Sequence, residues 1–150
     1  VVVRDCFSRE VAQEILYRAW VRLGYDPNDP GTWTEKRIHM PSLEHWPVRE
    51  FAPKAWNVMC ELCGGAQRIH DPWWGDGFIA NLGIGADQPW RPPSPQVKGW
   101  HKDGDFFRHF LDSPEQGLLT IVLWSDIEPR GGGTFLACDS VPVVAKFLAE

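Results

Sequence analysis

The stretch Gly99–Phe110, written GWHKDGDFFRHF, places a histidine and an aspartate two residues apart, just before a glycine. In an extended strand, residues i and i+2 point to the same face, so the side chains of His101 and Asp103 would lie side by side. A neutral imidazole and a carboxylate are ligand types that suit iron. The same two residues could also form an ordinary polar pair on a solvent-exposed strand.

The composition is typical of a globular chain and excludes several classes of partner. The 150 residues carry a net charge of −5, with 23% charged and 43% hydrophobic residues. Lys and Arg are scattered without a basic stripe, so we expect no nucleic-acid partner. No apolar run approaches the roughly 18 residues that a membrane helix needs, so we expect no membrane partner. Four cysteines do not suggest a disulfide framework, which favours a reducing, cytoplasmic location.

The first part of the chain predicts two helices separated by a long loop. Ser8 can cap a helix whose apolar residues recur at helical spacing, and Gly24 is a plausible stop. A second helix is predicted from Pro53, a residue favoured at the first helical position, to about Leu62. Residues 25–49 are rich in proline and show little periodicity, so they are predicted to form a loop.

Beyond this point the apolar pattern changes to a period of two, which predicts strands. Phe78–Ile84 alternates, and residues 97–103 could share one strand face. Leu118–Trp124 is an apolar, β-branched run and is predicted to be a central strand, followed by a short strand over Thr134–Cys138. Val143–Ala149 is predicted to begin another helix.

The order of these elements predicts an α+β fold. Helices are expected within residues 7–65 and strands within 77–138, so residues 1–150 are interpreted as one domain, with helices packed outside a β sandwich or barrel. About four strands would leave sheet edges open and bury little apolar surface. We therefore expect the natural protein to continue past Glu150.

Several short motifs together resemble one enzyme family. They are His101–Gly104 (HKDG), Leu118–Glu128 (LLTIVLWSDIE), Gly131–Thr134 (GGGT) and Asp139–Ser140. This combination resembles the phytanoyl-CoA dioxygenase family of Fe(II)- and 2-oxoglutarate-dependent oxygenases. The resemblance is specific over residues 97–140 and implies a double-stranded β-helix, also called a jelly roll.

The resemblance implies that His101 and Asp103 are catalytic metal ligands, two of a 2-His-1-carboxylate iron site whose open positions accept 2-oxoglutarate and O2. The implied reaction hydroxylates a small organic substrate while 2-oxoglutarate becomes succinate and CO2. Asp103 favours hydroxylation, because halogenating relatives lack this carboxylate. The third ligand, a histidine, and an arginine for the far carboxylate of 2-oxoglutarate are expected beyond Glu150.

Thr134 is implied as a contact to a carboxylate of 2-oxoglutarate, as a matching Thr or Ser is in some relatives. The alternative is a glycine hairpin that ends in a strand-favouring threonine. The aromatic segment Phe106–Phe110 could form a wall of a substrate pocket or pack as a loop. His109 within it is not assigned to the metal.

Two other interpretations of the chain remain open. A non-catalytic ligand-binding module on the same scaffold would have an incomplete metal site and a pocket lined by tryptophans. Cys60 and Cys63 form a C-x-x-C sequence, but they lie at the end of a predicted helix rather than at its start. We therefore expect packed core cysteines rather than a redox pair. The substrate and the oligomeric state are not readable from the sequence.

Overall fold

The computed structural model of the protein describes residues 1–104, 108, 110, 118–131 and 133–150. The described residues contain helices and short antiparallel strands, in agreement with the predicted α+β class. The chain divides into two compact units, which we call the first unit (Val1–Asp87 and Ile121–Asp126) and the second unit (Gln88–Thr120 and Ile127–Glu150). None of the described helices is long and apolar enough to cross a membrane.

Helix α1 spans Arg9–Leu23 and begins and ends as its sequence predicts. The Ser8 hydroxyl accepts a hydrogen bond from the backbone N–H of Val11 at 3.3 Å, which satisfies one of the unpaired donors of the first turn. At the other end Gly24 adopts a left-handed conformation with φ of 68°. Such a residue lets the chain leave the helix while its N–H still bonds to the last turn.

We expect Ser8→Ala to lower the free energy of unfolding by about 1 kcal/mol, because the Val11 N–H loses its acceptor. Urea denaturation followed by circular dichroism measures this change. Ser125→Ala is the matched control, since Ser125 is exposed and its hydroxyl has no hydrogen bond with the described residues. Equal effects of the two substitutions would show that the cap contributes nothing.

Helices α2 (Val48–Phe51) and α3 (Pro53–Cys63) form the core of the first unit. The end of α3 confirms the predicted stop within one residue: Gly64 is left-handed with φ of 80°, and the Gly65 N–H donates to the Cys60 carbonyl at 2.7 Å. The buried side chains of this core belong to Val48, Ala52, Ala55, Trp56 and Met59.

The cysteines of the C-x-x-C sequence are both partly buried, and Cys60 packs against that core. All four cysteines of the chain are free. The described residues also include three short 3-10 helices, at Pro30–Thr32, Ala66–Arg68 and Cys138–Ser140.

Four strands form two antiparallel pairs in the first unit. Strand β1 (Arg37–Met40) pairs with β4 (Phe78–Asn81), and β2 (His45–Pro47) pairs with β3 (Trp73–Gly75). The prediction of an unstructured loop over residues 25–49 was therefore wrong for β1 and β2. Strands of three or four residues are too short for a reliable period of two, and their partners lie more than 25 residues away along the chain.

The two strand pairs are joined by an irregular junction. Met40 pairs with Phe78, and His45 pairs with Gly75, so residues 41–44 on one side face only residues 76–77 on the other. Extra residues on one side leave backbone N–H groups without a partner across the ladder. A side chain has to supply the missing acceptors.

Asp76 supplies these acceptors. Its Oδ1 accepts hydrogen bonds from the N–H of Leu43 at 2.6 Å and of Glu44 at 2.9 Å. Its Oδ2 accepts from Arg22 of α1 at 3.1 Å. Asp76 is only 8% exposed, so this carboxylate is a buried charge whose partners compensate for its lost hydration.

The pKa of Asp76 lies below its ordinary value. Burial alone would raise this pKa, but the hydrogen bonds from Glu44 and Leu43 and the charge of Arg22 outweigh burial. A carboxyl group with a lowered folded-state pKa stabilises the fold above its unfolded pKa of about 3.9, and this contribution is lost as the pH falls through the folded value.

We therefore expect the free energy of unfolding to fall steeply below about pH 4 in the parent, partly through Asp76. Urea denaturation at a series of pH values between 6 and 3 measures this decline. In the Asp76→Asn variant the decline should be shallower, because the amide does not titrate. Parallel pH profiles for the two proteins would contradict the assignment.

Trp124 is the buried end of the apolar run Leu118–Trp124. Its ring lies 4.9 Å from that of Phe7 within an aromatic cluster of the first unit. The other members of this cluster are Trp46, Phe51 and Trp74.

The predicted central strand over Leu118–Trp124 is not formed: the described structure has no strand pairing there, and Leu119 is 61% exposed. An apolar, β-branched run becomes a strand only when a neighbouring strand supplies its hydrogen bonds.

Two further strand predictions also differ from the structure. Residues 97–103 form turns, bends and irregular chain, and Thr134–Cys138 is irregular chain that ends at a 3-10 helix. Helix α4 spans Val141–Ala149 and begins two residues before its predicted start. Within the described ranges, β4 is thus the strand that matches the prediction over 77–138, and no closed barrel is formed.

Candidate metal centre

His101 and Asp103 lie in the second unit, in a turn rather than in the predicted strand. Gly99 with φ of 105° and Gly104 with φ of 79° flank the pair, and these positive values are readily adopted by glycine. The chain therefore bends on both sides of the pair. The two side chains nevertheless meet: His101 Nε2 lies 3.2 Å from Asp103 Oδ1. The two side chains are adjacent, as predicted, but the backbone between them is not the predicted extended strand.

The Gly99 carbonyl orients the imidazole. His101 Nδ1 lies 2.7 Å from this oxygen. A carbonyl oxygen can only accept, so Nδ1 carries the proton, and in the neutral ring Nε2 then holds a lone pair on the side of Asp103. Histidines that bind metals commonly donate their second N–H to a carbonyl or carboxylate in this way.

The pair is open to solvent. The His101 side chain is 65% exposed, and that of Asp103 is 51% exposed. Even with a charged histidine, an exposed pair of this kind stabilises a fold by only about 0–1 kcal/mol, so stability alone gives little reason to hold these groups together. Their exposure leaves both donor atoms within reach of a solute.

The spacing of the donor atoms fits two neighbouring positions on one metal ion. Bonds of about 2.1 Å at right angles place two ligand atoms about 3.0 Å apart, close to the observed separation of 3.2 Å. An imidazole nitrogen and a carboxylate oxygen are also the donor types of a facial-triad iron site. Among the described residues, no group of three or more His, Cys, Asp or Glu side chains could hold a metal ion.

Neighbouring groups hold the turn in place. The Lys102 ammonium donates to the backbone carbonyl of Asp103 at 2.6 Å. The Trp100 indole N–H donates to the Ser94 carbonyl at 2.9 Å, which closes the loop that leads into the pair. Gly104, directly after the pair, is buried. These contacts restrict the backbone of the segment that carries His101 and Asp103.

Thr134 lies in the second unit and is exposed, and the described contacts do not join it to His101 or Asp103. Its proposed contact to 2-oxoglutarate therefore stays a prediction. Of the aromatic segment Phe106–Phe110, Phe106, Phe107 and His109 lie outside the described residues. Arg108 stacks over the ring of Phe110 at 5.8 Å.

Sequence reasoning missed the orienting role of Gly99. Every residue carries a carbonyl, so residue type alone does not reveal which one will face an imidazole. The available signal was a glycine two residues before the histidine, a residue type that readily adopts the positive φ found there.

The candidate metal centre therefore consists of two donor atoms and one orienting carbonyl, all within the segment 99–103. Helices, strands and a buried core belong mainly to the first unit. Comparison of the chain with family models, with curated proteins and with solved structures found no match.

Proposed function

We propose that the protein is an Fe(II)- and 2-oxoglutarate-dependent dioxygenase that hydroxylates a small organic substrate. In the proposed reaction the substrate, 2-oxoglutarate and O2 give the hydroxylated product, succinate and CO2. The observation that carries this proposal is the approach of His101 Nε2 to Asp103 Oδ1 at 3.2 Å, with His101 Nδ1 held by the Gly99 carbonyl.

In this proposal each residue of the turn has a distinct task. In the neutral ring the Gly99 carbonyl keeps the proton on Nδ1, so His101 would offer Nε2 to the cation. Asp103 offers a negative oxygen that offsets part of the cation charge. Fe(II) bound by these donors would supply the redox chemistry by which O2 oxidises a C–H bond of the substrate.

The carboxylate of Asp103 also bears on the type of reaction. It would occupy a metal position that a halide could otherwise take, so the proposal is hydroxylation rather than halogenation. Thr134 is proposed to donate its hydroxyl to a carboxylate of 2-oxoglutarate. The proposed fold of the catalytic domain is a jelly roll with leading helices, of which α1 and α3 would be part.

A cytoplasmic location belongs to the same proposal. The four free cysteines are consistent with a reducing compartment, where disulfides rarely persist. The proposed partners are O2 and a small-molecule substrate, without nucleic acid or membrane. The net charge of −5 disfavours a polyanionic substrate.

The decisive experiment is anaerobic addition of Fe(II) and 2-oxoglutarate to the protein expressed from its natural coding sequence. We expect the weak visible charge-transfer band of the iron chelate of 2-oxoglutarate. The band should be absent from His101→Ala, which removes one donor. His70→Ala should retain it, because His70 is an exposed histidine of the first unit.

Absence of the band from the folded parent protein would refute the oxygenase. His101 and Asp103 would then be an ordinary ion pair. A non-catalytic ligand-binding module would become the favoured function.

A further inference from the structure

The turn Glu128–Gly131 contains an arginine in a conformation that arginine seldom adopts. The Gly131 N–H donates to the Glu128 carbonyl at 2.7 Å, with Pro129 and Arg130 as the two central residues. Arg130 has φ of 63°. Proline followed by a residue with positive φ is the pattern of a type II turn, whose second central position favours glycine or asparagine.

The preference of a type II turn for glycine or asparagine is broken at a single residue, Arg130. Residues 131–133 are all glycine, yet the residue that needs the positive φ is an arginine. Among the described non-glycine residues, only Asp5 shares a positive φ, and aspartate tolerates this region better than arginine does. Residues held in sparsely populated backbone regions concentrate at functional sites.

The side chain of Arg130 is held as well. Its guanidinium lies over the Trp90 ring, 5.0 Å from the ring centre, and both residues belong to the second unit. Trp90 is 48% exposed and Arg130 is exposed, so a solute can reach this pair. Stacking uses the face of the guanidinium and leaves the N–H groups along its edge for acceptors in its plane.

Among the described residues, Arg130 has no acidic side chain within ion-pair distance. Arg9, Arg18, Arg22 and Arg49 each have an acidic side chain within ion-pair distance. In the part of the chain that the structure describes, Arg130 has none. It is therefore a cation fixed at both its backbone and its side chain, with its donors unmatched by the described acidic groups.

We propose that Arg130, stacked on Trp90, is a binding site for the carboxylate group of a small organic ligand. A planar guanidinium pairs with a carboxylate through two parallel hydrogen bonds. A dianionic phosphate is disfavoured, because Glu128 lies in the same turn. The turn and the stack hold the guanidinium in place before binding, which lowers the entropy cost of ordering it. This site goes beyond the proposed oxygenase and does not depend on iron.

The test uses phenylacetate as the carboxylate probe and phenylacetamide as its neutral match, without Fe(II) or 2-oxoglutarate. The readout is the indole N–H signal of Trp90 in a nitrogen–proton NMR spectrum, assigned with Trp90→Phe. We expect phenylacetate to shift this signal saturably and phenylacetamide to leave it in place. Inorganic phosphate should shift it at least 10-fold more weakly than phenylacetate.

Three variants test whether the guanidinium of Arg130 itself binds phenylacetate. Arg130→Gln should weaken phenylacetate binding at least 10-fold. Arg108→Gln, which alters another arginine stack of the second unit, should change it less than 2-fold. Arg130→Gly should raise the melting temperature, because glycine suits the turn, and yet abolish binding. Equal binding of phenylacetate and its amide, equal binding of phosphate, or unchanged binding by Arg130→Gln would overturn the proposal.

Discussion

Replacing Asp103 by Asn is expected to lower the affinity for Fe(II) by about 100-fold or more and to abolish succinate formation. The amide has nearly the shape of the carboxylate but lacks its negative charge, so the cation loses both a strong donor and an electrostatic partner. The 3.2 Å separation between Asp103 Oδ1 and His101 Nε2 underlies this expectation. Anaerobic Fe(II) titration measures the affinity, and succinate released under O2 measures turnover.

Asp139→Asn is the matched control for this substitution. Asp139 is an exposed carboxylate of the same unit, in the 3-10 helix Cys138–Ser140. Its replacement changes the net charge equally and should leave iron affinity and turnover within about 2-fold of the parent values. If Asp103→Asn bound Fe(II) as tightly as the Asp139 variant, Asp103 would not be a ligand.

Replacing Asp76 by Ala is expected to lower the free energy of unfolding by about 3–5 kcal/mol. The substitution leaves the N–H groups of Leu43 and Glu44 without their acceptor, and it leaves the charge of Arg22 in a largely buried position. Unpaired buried donors and charges are costly because they have lost water without gaining a partner. Urea denaturation followed by circular dichroism measures the loss.

Asp71→Ala tests whether burial, rather than the ion pair itself, is responsible. Asp71 pairs with Arg49 at 2.7 Å, but both side chains are more than half exposed. Exposed pairs contribute about 0–1 kcal/mol, so this variant should stay close to the parent. Comparable losses for Asp71→Ala and Asp76→Ala would refute the special role given to the strand junction.

The helices of the first unit could be predicted because their signals are local. Ser8 and Gly24 bracket α1, and Pro53 and Gly64 bracket α3. Caps act through residues within one turn of the helix end, so a single sequence contains all the information that they require. The structure moved these boundaries by no more than one residue.

The strands could not be predicted in the same way, because each depends on a distant partner. Arg37–Met40 looks like part of a loop until Phe78–Asn81 supplies its hydrogen bonds. Conversely, Leu118–Trp124 has the composition of a central strand but no paired neighbour in the described residues. Strand formation is a property of the pair, which explains both errors.

The sequence by itself determined the two capped helices, because their caps are local, and it placed His101 and Asp103 two residues apart in the chain. Only the tertiary structure decided that Asp76 would be a buried acceptor at the strand junction and that Arg130 would stack on Trp90. These contacts join residues more than 30 positions apart. Their energies depend on burial and orientation, which arise when distant segments pack together.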